Sequence, residues 1–600
     1  PKRSVRPEDF GAVGDGVTDD TLALRNTVNS NQDIVLTTGK TYLVNGRITL
    51  KPGQKLNGNH ATLKKGVQPA ALTTSTPITA NKTKTVTTDT PPTGYVVGMN
   101  IAFSQGNQAN LVEYTSLSTN NEDLRITKID GNVITLQNAP NATLSGTTDI
   151  HATYSTLRLM DGCSVTDLTI DGNRANWFWA RWEITHEILI TGNGCTVQNC
   201  HIQNAPGEGI VIYGTGNSVR DTQLNDLNGN GIHFTGTVHT VVDNVQVSNT
   251  NAVLAVGHQN GCVIASDNVD DTYIAHCTLS NGLTGIGSFD SPDNSNSTFT
   301  ANSIYSCGAG IDVKKGANNS IITNNRIYNC ATRTSGISVQ LEVVGAAQVM
   351  GNQCYNCGIL VSSRFSTSNQ VPTGVQCTNN HIENGDLYVG SINKSSVSQN
   401  TIVQGELNIV QSCDSVDISG NSIDNTGNTT LNGIEVQATN VTNLTIQGNN
   451  IAGGSIGILY GHPNQTNLSV RNNLCSGQLT TGIFSLRDNT AIGNTIQGNQ
   501  VVNSLPSTTA WEGIVSGCPQ ALIGQNQISS RNGLTAHYGI RVVNSPSVVD
   551  SNQVLGSYDS AAVRVTATCI GAIVKNNTLN AGIVDNGTGT VLINNTITPP

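Results

Sequence analysis

From residue 300 onward an Asn followed two residues later by an aliphatic residue or Cys recurs at 302, 325, 352, 380, 400, 421, 449, 473, 499, 526, 552, 577 and 595. Successive separations run from 18 to 28 residues and centre near 25. A period of that length that tolerates insertions is the mark of a solenoid, in which each repeat is one coil. Each period also carries a second short apolar strand, usually opened by Gly. Gly209-Ile210-Val211-Ile212, Gly231-Ile232-His233-Phe234, Gly310-Ile311-Asp312-Val313, Gly336-Ile337-Ser338-Val339 and Gly358-Ile359-Leu360-Val361 are examples. The alternation has period 2, and no helical periodicity lies between the strands, which excludes leucine-rich and helical solenoids. The fold class that follows is all-β, a parallel β-helix. Ile, Val, Leu and Cys point inward, strands stack at ~4.8 Å, and Asn at the corners accepts left-handed backbone and bonds along the stack.

Composition narrows the partners. Charged residues are 12% of the chain, net charge is −10 and the pI is near 5.5. There is no basic footprint for nucleic acid. No apolar run approaches 18 residues, so no membrane insertion is expected, and the segment from Pro1-Lys2-Arg3 shows no export signal. A Pro start suggests a trimmed N-terminus. The 14 Cys are spread from Cys163 to Cys569, several in phase with the repeat (Cys200, Cys277, Cys354, Cys475), as expected for small apolar core residues. Cys354 and Cys357 alone have metal-like spacing and lack a second pair; His186 and Glu187 do not form a zinc motif. No cofactor and no metal are expected.

Three regions follow. Residues 1–68 read as an N-terminal cap and first coils, where Asp19-Asp20-Thr21 opens a short helix whose Leu22, Leu24 and Val28 plug the first coil. Residues 69–155 lose the repeat and read as a β-rich insertion domain, with a hairpin-like turn in Ile129 to Leu136. Residues 156–600 form the main parallel β-helix.

The opening DFGAVGDGVTDDT (Asp9 to Thr21), the 25-residue period and LTIDGNRANWFWARWE (Leu168 to Glu183) resemble the pectate-lyase superfamily of right-handed β-helices, specifically its bacteriophage tailspike branch, over nearly the whole chain. The resemblance implies a homotrimeric spike at the virion tail, made in the host cytoplasm. Such a spike binds and usually cleaves a bacterial surface polysaccharide, O-antigen of lipopolysaccharide or capsule, at the outer surface of the host. It also implies virion attachment through an N-terminal domain missing from this sequence.

Aligning coils by the Gly that opens the strand gives outward positions Val211, His233, Val263, Gly287 and Asp312, then Tyr213, Thr235, Ala265, Phe289 and Lys314. Val263, Ala265 and Gly287 then make a floor of small residues with room for a sugar ring, flanked by His233 and Asp312. Beyond it, Asp290 and Asp293 stand three apart and could supply the acid and base of glycoside hydrolysis. The tailspike resemblance points to the same pair, because some hydrolytic tailspikes carry Asp-x-x-Asp on this face. Lys315 has the offset of Asp290 one coil later and could hold a carboxylate ionised. The competing reading is an Asx-turn with a surface ion pair. Glu208 is either a third carboxylate or a turn residue, His233 a base or a surface residue, and Asp312, Lys314 and Lys315 site residues or a solvated strand face.

Three of the four Trp, Trp177, Trp179 and Trp182, interleave with Arg174, Arg181 and Glu183. They read as a carbohydrate platform or as a packed aromatic corner. Functionally, the leading expectation is an endo-acting glycoside hydrolase. The runner-up is a polysaccharide lyase in which Lys314, Lys315 or Arg174 neutralises a uronate and His233 or Tyr213 takes the proton. A glycan-binding spike without catalysis is the non-enzymatic alternative, and a C5-epimerase is a fourth.

Overall fold

The computed structural model describes residues 4–104, 124–140, 143–177, 185–250, 263–265, 269–288, 296–314, 319–331, 336–341, 346–363, 371–486, 491–504, 510–531, 535–543 and 546–598. Two compact units divide the chain, Pro1–Gly308 and Ala309–Pro600. Each is a parallel β-solenoid built from three stacks of short strands.

In the first unit one coil runs through Thr196–Gln198, His201–Gln203 and Glu208–Thr215, and the next through Ser218–Arg220, Gln223–Leu227 and Ile232–Val238. Corresponding strands pair in parallel, with Val197 opposite Val219, Ile202 opposite Leu224 and Ile210 opposite Ile232. These side chains are buried, which is why every other position is aliphatic. The corner between the first two strands of a coil takes one left-handed residue, Asn199, Asp221 or Asn244 with φ of 52, 50 and 54°. Asn and Asp occur there because they accept that conformation more readily than other side chains.

Two departures from regular coils occur in this unit. Helix Thr21–Asn29 buries Ala23, Leu24 and Val28 but leaves Leu22 exposed, against the expectation that Leu22 points inward. Asp20 does not cap the helix through its side chain; its buried carboxylate accepts the Val13 and Gly14 N–H groups and so pins the glycine-rich opening segment. Between Leu72 and Ala152 the strands pair antiparallel, Ile101–Ser104 and Leu72–Thr74 on either side of Thr148–Ala152, and Thr85–Thr87 and Ile126–Asp130 on either side of Val133–Leu136. They share a core that includes Leu72, Val86, Tyr95, Ile101, Phe103 and Ile134. Ile48–Leu50 pairs directly with Leu157–Leu159, so the parallel stack closes beneath this excursion.

In the second unit the repeating Asn form one continuous ladder, buried from Asn325 to Asn577. From Asn325 through Asn352, Asn380, Asn400, Asn421, Asn449, Asn473, Asn499, Asn526, Asn552 and Asn577 to Asn595, each backbone N–H and each Nδ2 donates to the Oδ1 of the next. From Asn352 onward the second Nδ2 hydrogen goes to a main-chain carbonyl, as Asn421 does to Val397 at 3.0 Å. Oδ1 thereby uses both acceptor sites and Nδ2 both donors, so an amide is buried without an unsatisfied group. Asp would lack the donors and bury charge, and an aliphatic residue would leave the preceding N–H without a partner. Every described cysteine is buried and none is in a disulfide.

Asn449→Ala takes the acceptor from Asn421 N–H and Nδ2 and both donors from Asn473 Oδ1 and the Ile418 carbonyl. It should destabilise the second unit by roughly 2–4 kcal/mol. Ser422→Ala, on the exposed side of a neighbouring strand, should change stability by less than about 0.5 kcal/mol. Urea midpoints of the two variants check the contrast; equal midpoints would refute the ladder's energetic role.

Candidate functional site

The third stack of each unit contains the Gly-opened strands. Its glycines have a steric cause: a Cβ at Gly433 would stand 2.5 Å from the Gly457 carbonyl oxygen, and one at Gly457 2.4 Å from that of Gly482. These carbonyls accept the N–H of the preceding coil, for example Ile337 to Gly358 and Leu407 to Gly433. In two successive coils the same slot holds acids instead. Ile359 N–H bonds the Asp386 carbonyl and Leu387 N–H that of Glu406. There the glycine has moved one residue earlier, to Gly385 and Gly405, where a Cβ would meet Cys357 O at 2.2 Å and Gly385 O at 1.8 Å.

The displaced glycines bring together a group of carboxyls that sequence reading missed. Glu406 Oε1 accepts the Asn432 N–H at 2.6 Å and Oε2 accepts Asn408 Nδ2 at 3.3 Å, while Glu406 N–H donates to Asp386 Oδ1 at 3.0 Å. Asn432 also donates through Nδ2 to Glu435 Oε2 at 2.8 Å, so one residue bridges two carboxyls. Tyr388, Asn408 and Glu435 stand in register on successive strands, at the outward positions between the core residues. Burial pushes the Glu406 carboxyl above its ordinary range; the bonds from Asn432 and Asn408 oppose this, and Asp386 and Glu435 reinforce it. The arrangement offers one carboxyl biased toward its acid form beside two further carboxyl side chains, the pattern that separates acid from base roles. The legible signal was Gly-acid-Leu, Gly385-Asp386-Leu387 and Gly405-Glu406-Leu407, in place of Gly-Ile.

The first unit joins two of the residues expected from sequence. Glu208 opens strand Glu208–Thr215 and is fully buried. Its Oε1 accepts Asn230 Nδ2 at 2.6 Å and lies 3.0 Å from His233 Nδ1; its Oε2 stands 3.4 Å from Nδ1 of buried His186. Burial alone would raise the Glu208 pKa, but His233 and His186 outweigh it and bring it to about 2, while burial lowers that of His186. Glu208 is therefore biased toward its anion, the opposite of Glu406. An ionised carboxylate only accepts, so His233 carries a proton on Nδ1 and its Nε2, 3.5 Å from Thr235 Oγ1, is the proton-accepting end when the ring is neutral.

The remaining candidates are distributed as follows. In the first unit Tyr213 is half-buried on the Glu208 strand, and Arg174 lies in the turn Arg174–Asn176 with Nη1 3.5 Å from Asn228 Oδ1. Trp177 is only 6% exposed: its Nε1 donates to the Gly66 carbonyl, Tyr154 meets it edge-on at 5.4 Å, and Lys65 Nζ sits 4.7 Å over its ring. It packs inward and leaves no face for a sugar. The expected floor was miscounted by one residue: Val263 is in register with core Ile232 and Ile286, and Ile264 with His233 and Gly287. A one-residue slip exchanges the faces of a strand. In the second unit Asp312 is buried opposite Ser338, and Lys314 pairs in backbone register with Gln340. Asp290, Asp293, Lys315, Trp179, Trp182 and Glu183 lie outside the described residues. Among the described residues no His, Cys, Asp or Glu group has metal-binding geometry.

Comparison with known proteins agrees with the architecture. Residues 111–269 match the family model described as right handed beta helix region. No curated protein matches the chain. The tailspike protein gp49 of Pseudomonas phage LKA1 is similar at 15% identity and TM-score 0.33, over 82% of this chain and 83% of that one. The family 28 exopolygalacturonase of Yersinia enterocolitica is similar at 12% and 0.40, over 74% and 78%. PfbA, a surface adhesin of Streptococcus pneumoniae, is similar at 14% and 0.31, over 79% and 90%. One fold hosts many functions, so function has to be argued from side chains.

The lowered pKa of Glu208 carries a sign. A carboxylate at about 2 when folded and 4.5 otherwise stabilises the protein fully above pH 4.5 and loses that contribution as pH falls through 2. The stability difference between the parent and Glu208→Gln should therefore be largest above pH 4.5 and shrink toward pH 2. Thermal melts of both proteins across that range measure it; a constant difference would mean that Glu208 is not held as an anion.

Proposed function

We propose that this chain is an endo-acting glycoside hydrolase of a homotrimeric bacteriophage tailspike that cleaves a bacterial surface polysaccharide, O-antigen or capsule. The observation that carries the hydrolase reading is the bridged group Glu406, Asn432, Glu435 and Asp386 on the outward face of the Gly-opened stack. Glu406 in its acid form gives its proton to the glycosidic oxygen as the bond to the anomeric carbon breaks. Glu435 or Asp386, as carboxylate, takes a proton from the attacking water or stabilises the oxocarbenium-like transition state directly. Half-buried Tyr388 flanks the acid on the same face and would hold the sugar ring, while buried Asn408 orients Glu406 through its Nδ2. The tailspike setting and the trimer rest on the resemblance of the opening motif and period.

A second reading has its own observation. The Glu208–His233 pair in the first unit presents an oriented imidazole suited to taking a proton next to a uronate carboxyl, the first step of β-elimination. Products separate the two, since elimination leaves an unsaturated sugar that absorbs in the near ultraviolet and hydrolysis does not.

Glu406→Gln should lower the rate of depolymerisation by about 10²–10⁴-fold without unfolding the protein. The parent's activity should decline on the alkaline side as Glu406 loses its proton, at a pH above that of an exposed glutamate. Chain-length analysis of digested O-antigens and capsules by mass spectrometry measures both. A parental rate in Glu406→Gln, or ultraviolet-absorbing products that vanish in His233→Ala, would overturn the hydrolase reading. Unchanged polymer length with retained binding would favour an adhesin. A native mass of a single 62.9 kDa chain would remove the trimer.

A further inference from the structure

We infer that Arg541 and Arg564 form a subsite for the carboxylate of an acidic sugar, which makes the polymer that this protein binds a uronate-type polysaccharide. The inference rests on the reading that the Gly-opened stack of the second unit is the polysaccharide face. Along that stack Val515, Arg541 and Arg564 stand in direct register on three successive strands, with both arginines at outward positions. Two guanidinium groups are thereby held about one strand spacing apart, ~4.8 Å at their backbones.

Their surroundings fix them without neutralising them. Arg541, with its side chain 30% exposed, reaches Glu512 Oε2 at 2.8 Å through Nη2. Arg564 donates from Nη1 to the Tyr538 hydroxyl and lies 5.0 Å over the Tyr538 ring, which itself packs 4.0 Å from His537. His537 has its own acid, Asp559, at 2.7 Å. Two guanidinium charges thus share one carboxylate, Glu512, and burial biases that carboxylate toward its neutral form. Among the described residues no acid forms an ion pair with Arg564, and the Nε atoms of both arginines are buried without a hydrogen-bond partner. A planar two-oxygen group matches such forks better than a point anion does. Beside the pair, half-buried His537 packs on the buried Tyr538 ring and leaves its own edge toward solvent.

The position fits a polymer. Leu407, Ile434, Ile458, Ile483, Ile514 and Ile540 are successive core residues of the stack, so Arg541 lies five strands from Glu406, about 24 Å at ~4.8 Å per strand. Half-buried Leu459 and Phe484 occupy the outward positions between them. A chain of sugars running along this face would have its scissile bond at Glu406 and an acidic residue anchored at the arginine pair.

The test uses the whole 600-residue chain and measures retention of polygalacturonate, alginate and hyaluronate, each beside its carboxyl-reduced neutral form, with dextran sulfate as a measure of charge alone. The parent should retain at least one uronate polymer, and its reduced form about tenfold or more weakly. Arg541→Gln/Arg564→Gln should abolish that difference, and Arg541→Lys/Arg564→Lys should restore it only in part, at unchanged melting temperature. Equal retention of acidic and reduced forms, a preference that survives the double Gln substitution, or a preference for dextran sulfate over all three uronates would overturn the subsite. Retention of no uronate while a neutral capsule is cut in a Glu406-dependent way would overturn the subsite and leave the hydrolase reading standing. Failure of Glu406→Gln to slow any cleavage would overturn that reading instead.

Discussion

The buried amide ladder is the interaction on which the second unit depends. Hydrophobic burial makes a stack of coils favourable, but apolar contacts alone do not fix register, and a slip of one residue would turn every core side chain outward. Each Asn from 325 to 577 ties its own N–H and side chain to the Oδ1 of the next Asn in the ladder, so a slip breaks several buried hydrogen bonds at once. The left-handed residue just before most ladder positions, Asn379, Gln399 and Asn472 among them, aims the Asn side chain inward. Register thus follows from hydrogen bonding at one corner, and the rest of the coil is free to vary in length.

That freedom is what allows a site. The ladder holds the first corner while the segment leading to the Gly-opened strand changes from coil to coil. Where the glycine required by carbonyl crowding sits one residue early, at Gly385 and Gly405, the next position is released to carry Asp386 and Glu406. The same rigid spacing places Asn408 and Glu435 beside them without any loop having to be ordered. In the first unit the crowded slot keeps its glycine, Gly209, and Glu208 stands one residue before it, where two histidines and Asn230 surround it and favour its anion. A carboxyl biased toward its acid thus stands in one unit and a carboxylate held ionised in the other. Burial raises both carboxyls; nearby acids reinforce it at Glu406, and two imidazoles outweigh it at Glu208.

The parallel β-solenoid was legible because its two determinants are local and periodic: the Asn two residues before an aliphatic, and the alternation of the strands. The joining of Glu208 to His233 was within reach because both fall at comparable offsets from a Gly that opens a strand. The carboxyl group around Glu406 was not, since an alignment anchored on Gly-Ile passes over the coils where the glycine has shifted. The same anchor misplaced Val263 by one residue, Gly261-Cys262-Val263 having been counted as if Cys262 were the first core position. Trp177 illustrates a different limit. Clustered aromatics and basic residues look alike in sequence whether they face solvent or pack on Lys65 and Tyr154, and only the tertiary contact decides.

On the hydrolase proposal a polysaccharide lies along the Gly-opened stack of the second unit with its scissile bond at Glu406. The most direct measurement is a crystal structure of Glu406→Gln with an oligosaccharide of its own substrate, which that variant should bind and not cleave. The glycosidic oxygen should lie within hydrogen-bond distance of residue 406, with sugar rings against Tyr388 and along the outward side chains that follow. A glycan seated in the first unit beside His233, with the Glu406 face empty, would contradict it.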